Sequence, residues 1–154
     1  MAVTAYLTIA TNSHLGYAIT LAKSLARAMP GSCLRIYIAD RFDPSILPEM
    51  AEAEFFAADA CGIEGYADMA KRYNAFEFAT ALKAPCILHS LDETDASGAI
   101  YLDSDIWVLD SLEPVAARLN SVADCIMTPH ITEPYKAANI PNEDNYLTVG
   151  VFNL

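Results

Sequence analysis

The chain has 154 residues, close to the commonest size of one domain and long enough to bury a single core. Its 9 Lys and Arg against 20 Asp and Glu leave a net charge of −11, which argues against nucleic acid as a partner, since that binding relies on clustered cations. No apolar run approaches the roughly 20 residues of a membrane span, and no basic patch precedes an apolar stretch at the N-terminus as a signal peptide requires.

The charge poses a problem for any phosphate-bearing substrate. An acidic protein that holds a diphosphate needs local cations, a helix N-terminus or a metal. The four cysteines, Cys33, Cys61, Cys86 and Cys125, form no C-x-x-C pair and lie in apolar context. They read as buried reduced thiols of a cytoplasmic protein.

In chain order, residues 5–10 (AYLTIA) read as a short buried strand. Thr11-Asn12-Ser13-His14 supplies turn and N-cap residues. Leu15, Ala18, Ile19, Ala22, Leu25 and Met29 then recur at helical spacing, and Pro30-Gly31 ends that helix. Residues 33–39 (CLRIYIA) read as a second strand, 44–51 as a short helix and 53–58 (AEFFAA) as a third strand. Residues 59–73 have no strong period and are expected to be loop with a short helix. Residues 74–91 are strongly helical, with Pro85 expected to kink the helix or start a new one.

Ala99-Ile100-Tyr101-Leu102 reads as a central strand, and Ser111-Leu112-Glu113-Pro114 as the opening of a helix that runs to about Leu119. Residues 123–128 and 146–153 read as further strands on either side of a polar loop, 130–145. The alternation predicts one α/β domain over 1–154, with a mostly parallel central sheet and helices on both faces. A chain that stops on an apolar strand suggests a missing C-terminal, acceptor-binding part, or a second copy covering that end.

The segment that carries chemistry is Ile100-Tyr101-Leu102-Asp103-Ser104-Asp105-Ile106-Trp107-Val108. Two carboxylates two residues apart follow a buried strand. In extended geometry residues i and i+2 point the same way, which would aim two hard oxygen ligands at one place. Open α/β sheets bind ligands at the carboxyl ends of their strands. Oxygen ligands suit Mg²⁺ or Mn²⁺, ions that keep positions open for substrate phosphates. The competing explanation is that Asp103 and Asp105 are ordinary turn residues.

These residues resemble the D-x-D segment of GT-A-type glycosyltransferases, particularly the glycogenin and bacterial lipopolysaccharide galactosyltransferase group. The likeness extends along the chain. Residues 5–29, with Tyr17 and the pair Lys23-Ser24, resemble that group's opening strand and helix. Thr80-Ala81-Leu82-Lys83-Ala84-Pro85 resembles the helix before the D-x-D strand. Residues 127–133 and 146–154 resemble stretches of bacterial relatives.

The resemblance implies a metal at Asp103 and Asp105 and a ribose contact at Asp103 or Ser104. It implies that Thr11, Asn12 and Tyr17 lie near the nucleobase and ribose, that Lys83 faces the diphosphate or sugar, and that Thr148 and Gly150 line the sugar pocket. The donor it implies is a nucleotide-diphosphate sugar, UDP-sugar favoured. This chain has Ala81 where the galactosyltransferase group has arginine, and Thr148 where it has asparagine. The group's third metal ligand, a histidine far downstream, has no counterpart within the chain.

The expected function is metal-assisted glycosyl transfer. The main alternative is a non-catalytic nucleotide-sugar-binding or vestigial domain. An aspartyl-nucleophile phosphatase also ends a strand in D-x-D, but Trp107 stands where such enzymes place a small Thr or Val. Among other candidates, His130 reads as a loop histidine, His14 as a residue near a helix start and His89 as a helix residue. Trp107 reads as core or as a lid over the site.

Overall fold

A computed structural model describes residues 3–119, 121, 123–129 and 152–153. Its centre is a four-stranded, all-parallel sheet in the order β3-β2-β1-β4, made of β1 (Thr4–Ala10), β2 (Leu34–Ile38), β3 (Ala53–Ala57) and β4 (Gly98–Tyr101). Parallel strands are covered on both faces and so read as continuous apolar runs. Accordingly β2 is buried at every position and β1 at all but its first.

Helices lie on both faces. Helix α1 (Leu15–Ala28) buries Ala18, Leu21, Ala22 and Leu25. They pack with Tyr6, Ala10, Leu34, Ile36 and Ile38, one alternate set of strand side chains. Helix α3 (Ala75–Thr94) buries Phe78, Leu82, Cys86 and Ser90, one face at a spacing of four. The first three of these pack with Leu7, Ile9 and Tyr37, the other alternate set. Arg35 is a charge in this interior. It pairs with Glu54 at 3.3 Å and lies 4.1 Å over the ring of Phe56.

Local chemistry sets the element ends. Asn74 and Glu77 form a reciprocal capping box at the start of α3, each side chain bonding the other's backbone N–H at 2.9 Å. Pro85 does not break this helix, which continues past the expected end at 91 to Thr94. Its cost is one missing hydrogen bond to Ala81 within a long, packed element. Helix α2 (Tyr66–Arg72) is the short helix expected within 59–73 and follows Gly65 at φ +73°.

Two expected elements are not formed as read. The helix expected over 44–51 is only a single 3-10 turn, Pro44–Ile46, held by Asp43 Oδ1 accepting from the Ser45 N–H at 3.1 Å. Leu47 precedes Pro48 and turns extended, the conformation a following proline imposes. The strand expected over 123–128 is reduced to β5 (Thr128–Pro129), which pairs antiparallel with β6 (Phe152–Asn153) in a separate two-stranded ladder. Residues 123–127 lie outside any strand, and Ile126 and Met127 are exposed. Helix α4 (Glu113–Leu119) starts as expected, with the Ser111 hydroxyl accepting from the Glu113 N–H at 3.2 Å. Asp110 bonds the Ser111 N–H at 2.7 Å.

Strand order brings two distant parts of the chain together. The chain moves outward from β1 to β2 to β3, then returns to place β4 on the other side of β1. The order reverses between β1 and β4. Two strands that are not consecutive in the chain, β1 and the outer strand β4, therefore end side by side, and open α/β sheets bind ligands at such a reversal, beyond the carboxyl ends of their strands.

Candidate functional site

The register Leu7↔Tyr101 sets the carboxyl ends of β1 and β4 side by side. The ladder runs one residue beyond β4, where the Leu102 N–H donates to the Leu7 carbonyl at 2.9 Å. The segment Thr11–His14 after β1 and the segment Asp103–Asp105 after β4 thus flank one edge of the sheet at its switch point. Asp103 and Asn12 share that edge, as expected.

The expected geometry of the two carboxylates is corrected. Residues 104–105 form a turn, closed by the Ile106 N–H donating to the Asp103 carbonyl at 3.1 Å. The backbone is not extended here, so the i, i+2 alignment does not apply. Asp103 is partly buried and Asp105 is exposed.

Asp103 sits in a defined setting. Lys83 Nζ on α3 lies 3.4 Å from Asp103 Oδ1, and the lysine side chain is only 17% exposed. The same ammonium stands 4.6 Å above the Tyr101 ring. Lys83 is therefore held largely out of solvent. The ionisation of the Tyr101 hydroxyl is pushed far up, first by burial and then by the negative charge of Asp103 beside it. The Lys83 ammonium thus stands between the Asp103 carboxylate and the Tyr101 ring. Side chains 99, 101 and 103 fall on the face covered by α3, which is why this helix can reach the D-x-D segment.

The first loop is tied down differently. The Asn12 N–H donates to both carboxylate oxygens of Asp40, at 3.0 and 3.1 Å, and its side-chain amide donates to Asp40 and to the Arg41 carbonyl. The Asn12 amide oxygen is buried and has no hydrogen-bond partner among the described residues. Thr11 Oγ1 lies 2.8 Å from Ser13 Oγ and 3.1 Å from His14 Nδ1. Tyr17 is exposed on the first turn of α1, its ring 5.8 Å from that of His14. Trp107 is half-exposed rather than core.

Ser24 acquires a role that its place in the sequence did not show. Its hydroxyl is buried, donates to the Leu21 carbonyl at 2.8 Å and accepts from the Val108 N–H at 3.0 Å. This bond anchors the segment beyond Asp105 to α1. The sequence offered only the Lys23-Ser24 pair, with no sign that the serine faced inward. Thr148, Gly150 and His130 lie outside the described residues.

A divalent ion could be held here by Asp103 and Asp105. Two carboxylates with positions left for phosphate oxygens are an ordinary donor set for Mg²⁺ or Mn²⁺. Among the described residues no group of three or more His, Cys, Asp and Glu is placed to hold a metal. No helix among them is long and apolar enough to cross a membrane.

No family model matches the chain, and no curated protein matches it. A crystal structure of the galactosyltransferase LgtC in complex with donor and acceptor sugar analogs is similar at 18% identity and a TM-score of 0.38. The match covers 73% of this chain and 41% of that one.

Proposed function

We propose that this chain binds a nucleotide-diphosphate sugar, a UDP-sugar in preference, at the adjoining carboxyl ends of β1 and β4, and supports transfer of the sugar to an acceptor. The observation that carries the reading is the placement of Asp103 at the switch-point edge, with Lys83 at 3.4 Å. A net charge of −11 repels a diphosphate, and this edge supplies a positive group held out of bulk water. Asp103 and Asp105 would hold Mg²⁺ or Mn²⁺ together with the phosphates. When bound, the ion would neutralise the diphosphate as it departs. Lys83 would bind and orient that diphosphate, and the loop of Thr11, Asn12 and Tyr17, with Ser104, would meet the nucleoside. Thr148 and Gly150 complete the proposed sugar contacts.

Ala81 bears on the choice of donor sugar. It lies on α3 two residues before Lys83, where the group resembled by the sequence has arginine, so the contacts to the sugar would differ from that group's.

Calorimetric titration with UDP in Mn²⁺ and in EDTA tests the proposal. Affinity at least tenfold weaker in EDTA is expected. Equal affinity in the two conditions would overturn the metal-assisted reading. Release of free sugar or transfer from a UDP-sugar separates catalysis from binding alone.

A further inference from the structure

We propose that Cys61 and Cys86 form a redox-active dithiol, which a hydroperoxide converts to an intramolecular disulfide. The two thiols come from different elements. Cys61 ends the 3-10 turn Ala58–Cys61 that follows β3, and Cys86 lies midway along α3, which packs against that turn. Their sulfurs are 3.8 Å apart, in hydrogen-bonding contact. A disulfide needs about 2.05 Å, so the remaining closure is under about 2 Å and is within reach of side-chain rotation and a small shift of the turn.

The pair is asymmetric in access. Cys86 is fully buried and Cys61 is partly exposed, so an oxidant from solvent meets Cys61 first. The electrostatics run the same way. Cys61 ionises more readily than an ordinary thiol, chiefly because Cys86 can donate its S–H to the thiolate, with the Arg35 charge helping and burial and Asp59 opposing. Cys86 is pushed up by that same bond and by burial. Cys33 and Cys125 have no partner thiol in contact among the described residues.

The chemistry balances in two steps. The Cys61 thiolate attacks one peroxide oxygen, the O–O bond breaks, and hydroxide (or alkoxide) leaves as Cys61 becomes a sulfenic acid. The Cys86 sulfur then attacks the Cys61 sulfur. The S–O bond breaks, and the hydroxide takes the Cys86 proton and leaves as water. The two thiols are oxidised by two electrons and the peroxide is reduced. The new bond would tie the turn after β3 to α3, one helical turn from Lys83. Neither thiol is one of the residues assigned to the donor.

The test uses the full chain carrying Cys33→Ser and Cys125→Ser, so that only the pair remains. Equimolar hydrogen peroxide is expected to lower the free thiols from two to none per chain. The intact mass should fall by about two hydrogens, with a non-reduced peptide linking Cys61 to Cys86, and dithiothreitol should reverse the change. Persistence of both thiols, sulfinic acid at Cys61 with Cys86 still a thiol, or linkage only between chains would each overturn the proposal. In a further Cys61→Ser variant, Cys86 should stay reduced under the same treatment. Oxidation of Cys86 there at an undiminished rate would also overturn it, because Cys61 would then not be the entry point.

Discussion

The Lys83 ammonium is held 3.4 Å from the Asp103 carboxylate, joining the middle of α3 to the segment just beyond the end of β4. The pair sits against Tyr101, whose ring faces the ammonium at 4.6 Å. Asp103 is thus set in a polar arrangement with a cation of its own, whereas Asp105 is exposed in the adjoining turn.

Asp103→Asn and Asp105→Asn are both expected to abolish Mn²⁺-dependent UDP binding, because Asn keeps the shape but loses the charge that a hard cation needs. Their stabilities should differ. Asp103→Asn removes the partly buried ion pair with Lys83 and should cost about 1 kcal/mol. Asp105→Asn, at an exposed position, should stay within about 0.5 kcal/mol. Melting curves and UDP titrations on the same samples read both effects. A folded Asp103→Asn protein that still binds UDP only with Mn²⁺ would remove Asp103 from the site.

Lys83→Gln separates a diphosphate contact from a merely structural one. UDP affinity should fall about tenfold, equivalent to about 1.4 kcal/mol, while uridine affinity is unchanged. The lost charge is felt only by the ligand that carries phosphates. Equal losses for UDP and uridine would instead mean that the substitution disturbs the whole site.

Ser24→Ala should destabilise the protein by about 1–2 kcal/mol, because the Val108 N–H is left buried with no acceptor. Urea unfolding should show a lower midpoint at unchanged slope. Ser13→Ala, at an exposed position, is the comparison and should be close to neutral. A Ser24→Ala protein as stable as the parent would show that the hydrogen bond contributes nothing.

Tyr66 gives a pH-dependent prediction. Its hydroxyl donates to the Ala39 carbonyl at 2.6 Å, tying α2 to the end of β2. Burial, and then the Asp59 charge, push its pKa from 10.0 up to about 12. The folded state therefore favours the neutral phenol. The stability this group adds is full below pH 10 and is lost as pH rises through the window from 10.0 to about 12. Tyr66→Phe should be about 1 kcal/mol less stable near neutrality. The gap to the parent should narrow through that window. Denaturant unfolding of both proteins at stepped pH measures it, and a gap that stays constant through pH 12 contradicts the assignment.

Much of the fold was legible in the residues themselves. The apolar runs at 5–10 and 33–39 and the helical spacing after Leu15 specify local elements. Their alternation leaves a parallel sheet as the simplest way to bury both strand faces. The D-x-D segment was legible for the same reason, since its acids directly follow an apolar strand. Pro48 overrode the apparent helix at 44–51 through a local rule, and α3 carried Pro85 because packing outweighs one missing hydrogen bond.

Tertiary structure alone decided which residues meet. Strand order put the ends of β1 and β4 on one edge. Helix packing brought Lys83 to Asp103, Ser24 to Val108 and Cys61 to Cys86. The turn at residues 104–105 replaced the extended alignment that the spacing of the two acids suggested. Periodicity reports which face a residue occupies on its own element. It carries no information about the partner element, because that choice is made by the burial of whole faces against one another.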